Sequence, residues 1–170
     1  MTAYVALLRA VNVGKRQLIM SELKGIAEEL GFGSPRTFIA SGNLLITSNE
    51  SEGELRKLLE RGIGEHMGAE VPVMIRTAEE MADVSASNPF ADQPSNKVYA
   101  VFLNDSPARD AIASAKNVAD ERMALGRREI YVAYPGGMGT SKLRIPAAAS
   151  GTARNMNTVA KLAALAKEMQ

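Results

Sequence analysis

The sequence predicts an α+β protein with antiparallel sheets and a C-terminal helix. Three observations predict it. Segments of helical period alternate with segments of strand period along the chain. The order of elements in the first half recurs, incompletely, in the second. Glycines, prolines and capping residues fall at the borders between segments.

Tyr4 to Val13 is apolar and rich in strand formers, with Arg9 and Asn12 as polar interruptions near its end. Gly14 to Gln17 reads as a loop. Ser21 is a candidate N-cap for the next helix. Leu23, Ile26, Ala27 and Leu30 follow at i, i+3, i+4 and i+7 and form one apolar face. Gly31 ends that helix. Pro35 to Ala40 and Leu44 to Thr47 form two strands joined through Ser41-Gly42-Asn43, a turn whose glycine and asparagine tolerate positive φ. Leu55, Leu58, Leu59, Ile63 and Met67 line a second helix, which Gly68 closes. Val71 to Arg76 is a further strand. Residues 1–76 therefore read β-α-β-β-α-β, the ferredoxin-like order. In that layout the first and third strands are taken as parallel, which sets the turn at Ser41-Gly42-Asn43 away from Asn12.

Residues 77–96 form a helix and linker. Thr77-Ala78-Glu79-Glu80 is a capping box that opens the helix, with Met81 and Val84 facing inward. Asn88-Pro89 ends it. Residues 97–170 read as a second, incomplete ferredoxin-like unit of order β-α-β-β-α. Its strands are Lys97 to Leu103, Val118 to Leu125 and Glu129 to Tyr134, with a turn at Gly126-Arg127-Arg128. Ser106-Pro107 opens a short helix. The final helix runs from Asn155 to the C-terminus, and this unit lacks its last strand. The recurrence lies in the elements, with no residue repeat.

Composition excludes whole classes of chemistry. Absence of cysteine removes disulfides, thiolate catalysis and Cys-based zinc sites. A single histidine, His66, leaves no His-rich metal set and is expected at the surface. No metal and no cofactor are expected. Twenty basic residues against 19 acidic give a net charge of +1, which argues against a surface devoted to nucleic acid. No signal peptide opens the chain, and no apolar run reaches the roughly 18–20 residues of a membrane span. The expectation is a cytoplasmic protein with no membrane partner. Met20, Met67, Met74 and Met81 are expected as core fillers.

Candidate ligand-binding residues concentrate near the C-terminus. In Gly136-Gly137-Met138-Gly139-Thr140-Ser141-Lys142, glycines expose backbone N–H groups and Lys142 supplies a point charge. It is not a P-loop, because serine precedes lysine and no helix follows. An ordinary glycine-rich turn is the alternative. Thr152-Ala153-Arg154-Asn155 stands at the start of the last helix, where free N–H groups favour an anion by about 0.3–1 kcal/mol. Arg154 adds a bidentate donor, and a helix cap or polar dock is the alternative. Arg9 and Asn12 sit in or beside a central strand, where a buried arginine needs an acid, a carbonyl or a ligand.

Five separated motifs carry a family resemblance: Leu8 to Gly14, Ser41-Gly42-Asn43, Asn88-Pro89-Phe90, Gly139 to Leu143, and Thr152 to Asn155. In this order they resemble the bacterial domain-of-unknown-function family 1697, across essentially the whole chain. The resemblance implies the same tandem ferredoxin-like arrangement and no activity. Members often carry Gly-Ile-Asn-Val-Gly-Gly in the first motif, from which Ala10, Val11 and Lys15 differ. Many have Trp where Met156 stands.

The best-supported function is therefore a binding module for a small phosphate- or carboxylate-bearing ligand, held by Arg9, Asn12, Ser141, Lys142, Thr152, Arg154 and Asn155. Nucleic-acid binding is an alternative, but the third strand offers no stacking aromatic and the first offers Tyr4 alone. Whether the chain is an enzyme is open: Lys142 is the one acid–base candidate, and neither partner histidine nor serine elbow accompanies it. A structural or partner-binding role is a further alternative. Oligomeric state is not readable.

Overall fold

The computed structural model describes residues 1–10 and 17–170. It is an α+β protein of two tandem ferredoxin-like units, each with a four-stranded antiparallel sheet. Met1–Met81 together with Leu162–Gln170 form the first unit, and Ala82–Lys161 form the second.

The first unit comprises β1 (Thr2–Leu8), α1 (Met20–Glu29), β2 (Gly33–Thr37), β3 (Asn43–Ser48), α2 (Glu52–Met67) and β4 (Val73–Thr77). Its sheet order is β2-β3-β1-β4. Tyr4, Ala6 and Leu8 alternate along β1 and meet Leu44, Ile46, Val73 and Ile75 on one face. Leu23, Ile26 and Ala27 of α1 and Leu55, Leu59 and Ile63 of α2 cover that face, as their helical spacing dictates. Val5, Leu7, Leu45, Met74 and Arg76 on the other face are buried as well.

The borders follow local chemistry. Gly31 and Gly68 adopt positive φ after α1 and α2. The capping box forms in both directions: the Glu80 N–H donates to Thr77 Oγ1 at 3.1 Å and the Thr77 N–H donates to Glu80 Oε1 at 2.9 Å. It opens α3 (Ala78–Ala86). Ser21 is not the cap of α1. That helix starts at Met20 with Ile19 before it, and no side chain caps it.

The pairing of β1 with β3 is antiparallel, which corrects the parallel expectation. The β2–β3 hairpin reverses the chain once between them. The turn at Ser41-Gly42-Asn43 consequently lies beside the end of β1, where the Leu8 N–H donates to the Gly42 carbonyl at 2.9 Å. Fully buried Asn43 pins the turn, donating from Nδ2 to the Phe38 carbonyl and to Ser41 Oγ, both at 2.9 Å.

The second unit comprises β5 (Val98–Phe102), β6 (Arg122–Leu125), β7 (Glu129–Ala133), β8 (Thr152–Asn155) and the start of α4 (Met156–Glu168). Its order, β6-β7-β5-β8, matches the first sheet strand for strand. The unit is incomplete, but not in its last strand. β8 is present, and the helix expected after Ser106-Pro107 is replaced by successive turns across residues 109–114. β8 is short and places Thr152 and Arg154 inward with Ala153 outward, so it has no β-branched apolar run to announce it. The Val118 to Leu125 strand shortens to β6.

Both last strands end alike. Arg76 and Arg154 are buried, and each donates from Nη1 to the carbonyl of the preceding residue at 2.9 Å. Each is followed by a capping residue and a helix: Thr77 before α3, and Asn155 before α4, where Asn155 Oδ1 accepts the Thr158 N–H at 2.9 Å. Gly151 just before β8 is required by close packing. A Cβ there would lie 2.6 Å from the Phe102 carbonyl oxygen.

Candidate functional site

In the second unit Val101, Leu103, Ile130 and Val132 form an apolar face that, among the described residues of this unit, no long helix covers. Loop residues cover it instead. Leu143, Ile145, Ala147 and Ala148 from one loop and Ala111 from another pack on it. A chain that covers a sheet with loops leaves clefts between them, and the described residues of this unit line such clefts. One has a volume of about 400 Å³ and is lined by residues that include Asp120, Glu121, Thr140, Ser141 and Lys142. Another has a volume of about 770 Å³ and is lined by Val101, Lys116, Leu143, Arg144, Ile145 and others. Asn117 and Tyr134 line both, so the two are lobes of one groove that meet at Tyr134.

The smaller lobe already holds an anion of its own. Ser141 Oγ donates to Glu121 Oε2 at 2.5 Å, and the Ala119 N–H donates to Glu121 Oε1 at 2.7 Å. These two bonds, the serine first, hold the Glu121 carboxyl below the usual carboxylate range. The glycine loop is folded on itself: the Gly137 N–H donates to the Tyr134 carbonyl at 2.8 Å and Thr140 Oγ1 to the Gly136 carbonyl at 3.1 Å. Burial, the Glu121 charge and Tyr99 together raise the Tyr134 phenol above its ordinary value. Tyr99 meets the Tyr134 ring edge-on at 5.6 Å.

The larger lobe carries cations on an apolar floor. Lys116 and Arg144 face each other in an antiparallel bridge. The Lys116 N–H donates to the Arg144 carbonyl at 2.8 Å, and the Arg144 N–H donates back at 2.9 Å. Residues opposed in this way have Cβ atoms about 4.5–5.5 Å apart on the same side. Both side chains are exposed, and among the described residues neither meets a carboxylate.

The residues named from sequence fall on different elements. Asn12 lies outside the described residues. Arg9 follows β1 in the first unit, half-buried, with its N–H on the Pro72 carbonyl at 3.0 Å. Thr152, Arg154 and Asn155 sit on β8 rather than at an open helix end. Arg154 donates to Thr152 Oγ1 at 2.6 Å, and burial lowers its guanidinium to about 10. Asn155 is used as the cap of α4. Ser141 is used on Glu121. Lys142 is exposed in the smaller lobe.

Tyr4, the one aromatic on β1, is buried and donates from its hydroxyl to the Glu50 carbonyl at 2.9 Å. It offers no stacking surface. His66 pairs with Glu22 at an exposed position. Among the described residues no three metal-ligating side chains gather, and no described helix is long and apolar enough to cross a membrane.

Lys116, Glu121, Tyr134 and Arg144 escaped the sequence reading. A signal existed for one of them. In Lys142-Leu143-Arg144-Ile145, charged and apolar residues alternate at strand period, which marks Arg144 as outward-facing on an extended segment.

The chain belongs to the family described as protein of unknown function DUF1697, whose model matches residues 1–131. The match includes Lys116 and ends before Arg144. Among solved structures the chain is similar to the conserved bacterial protein SP0830 from Streptococcus pneumoniae. The two are 24% identical, with 98% of this chain and 99% of that one covered at a TM-score of 0.81. At this identity the likeness establishes the fold. No curated protein matches the chain.

Proposed function

We propose that the protein is a binding module for a small organic anion bearing a carboxylate or phosphate, and that the anion is held by Lys116 and Arg144 in the larger lobe of the second unit. One observation carries this reading: two cations are fixed side by side by a backbone bridge, without an acidic partner among the described residues. Like charges directly opposed across strands are destabilising. An anion between them turns repulsion into attraction, and Arg144 can meet it with two parallel N–H bonds. The apolar floor of Val101, Leu143 and Ile145 favours an anion with a hydrocarbon body over inorganic phosphate. The reading includes a cytoplasmic setting, which a cysteine-free composition favours.

Thermal-shift titrations with acetate, caproate, inorganic phosphate and hexyl phosphate test it. Caproate or hexyl phosphate at millimolar concentration is expected to raise Tm, and acetate to have less effect. The double variant Lys116→Gln/Arg144→Gln should lose the response. Its ligand-free form should be slightly more stable than wild type, by about 0.2–1 kcal/mol, because the repulsion is gone. A panel with no response, or a response that the double variant keeps, overturns the proposal.

A further inference from the structure

The two lobes that meet at Tyr134 carry opposite charge. The larger holds Lys116 and Arg144. The smaller holds Asp120 and Glu121 against one cation, Lys142. Glu121 is oriented by Ser141 and by the Ala119 N–H, so its charge is fixed in place rather than swinging in solvent. Asp120 is exposed and has no hydrogen-bond or ion-pair partner among the described residues. The Tyr134 hydroxyl at the junction makes no hydrogen bond among the described residues either. Between the lobes, Tyr134 presents a half-buried aromatic ring.

We infer that the ligand is dipolar: an anionic end at Lys116 and Arg144, an apolar body crossing Tyr134, and an amine at Asp120 and Glu121. This rests on the proposed anion site and adds the second end of the ligand. A simple anion satisfies one lobe and leaves Asp120 of its neighbour unmatched. A molecule with an amine at the far end of a short hydrocarbon chain satisfies both. The Tyr134 phenol can accept or donate a bond along the way. Lys142 reduces the net charge of the smaller lobe from two negative to one, so removing it should sharpen the preference for an amine.

Calorimetric titration of the full chain compares matched pairs: butyrate with γ-aminobutyrate, caproate with ε-aminocaproate, and ε-acetamidocaproate as the control whose amine end is neutral. At low salt one of the amino acids is expected to bind about five-fold tighter than its parent acid, with the gain shrinking as salt rises. Acetylating the amine should abolish the gain. Asp120→Asn should bring the ratio of the two affinities close to one, and Lys142→Gln should widen it. If the amino acids bind no tighter than their parents, the dipolar inference falls while the anion site stands. A gain that persists unchanged in Asp120→Asn also overturns it. If neither parents nor amino acids bind, both readings fail together.

Discussion

The two units share a plan and differ in what covers it. Both sheets run in the same strand order, and both end in a buried arginine, a capping residue and a helix. In the first unit one sheet face lies under α1 and α2, whose apolar stripes interlock with Tyr4, Leu44 and Ile46. In the second unit the corresponding face lies under loops, and Leu143, Ile145 and Ala148 reach down from them. Helices seal a sheet because each turn delivers a side chain to the face at fixed spacing. Loops leave polar backbone and open space, and residues there can serve a ligand. The groove around Tyr134 is thus the consequence of exchanging both covering helices for turns and short 3-10 segments.

The largest effect that separates the two covers is a core truncation. Leu59→Ala in α2 removes a fully buried side chain and should cost about 2–5 kcal/mol in urea unfolding. Ile145→Ala in the loop cover removes a half-buried one and should cost roughly half as much. Equal costs would mean that the loops pack as tightly as the helices. The groove would then be a rigid feature and not an adaptable one.

How far the sequence foretold each unit follows the same division. The helices of the first unit repeat an apolar residue every three or four positions, and Gly31, Gly68 and the Thr77–Glu80 box mark their ends. That information is local and was legible. Strand direction was not local. Whether β1 and β3 run parallel depends on counting reversals through the β2–β3 hairpin, which no short window of sequence contains. β8 is hard to read because four residues with one buried charge resemble a helix start more than a strand. The groove was the least legible part. Lys116 and Arg144 stand far apart in the chain and meet through a backbone bridge that no spacing rule announces. The glycine loop drew attention through its composition, yet its serine serves Glu121.

A smaller effect tests whether the paired strand endings are energetically alike. Thr77 and Glu80 cap α3 reciprocally, whereas Asn155 caps α4 with one bond. Thr77→Ala and Asn155→Ala should each cost about 1 kcal/mol, with Thr77→Ala the larger. Hydrogen exchange of the first-turn amides of each helix reads the two losses separately. A loss at Asn155 well above that at Thr77 would show that β8 depends on its cap more than β4 does, and that the second ending is the weaker copy.

The smallest effect concerns charge, and pH separates it from packing. Ser141 and Ser51 both use a hydroxyl locally. Ser141 donates to a carboxylate in the second unit, and Ser51 accepts the Glu54 N–H at the start of α2 in the first. The Glu121 carboxyl is depressed in the folded chain, chiefly by Ser141. A depressed carboxyl stabilises the fold above its unfolded value of about 4.3, and that stability is lost as pH falls through the lower folded value. Ser141→Ala should therefore be less stable than wild type at neutral pH, and the gap should close progressively below about pH 4. Ser51→Ala removes a bond to a backbone amide, which does not titrate, so its gap should stay level over the same range. A Ser141→Ala gap that also stays level would mean that the hydroxyl does not sense the Glu121 charge. Glu121 would then be oriented by the Ala119 N–H alone, and Ser141 would have no part in the opposition of charge across Tyr134.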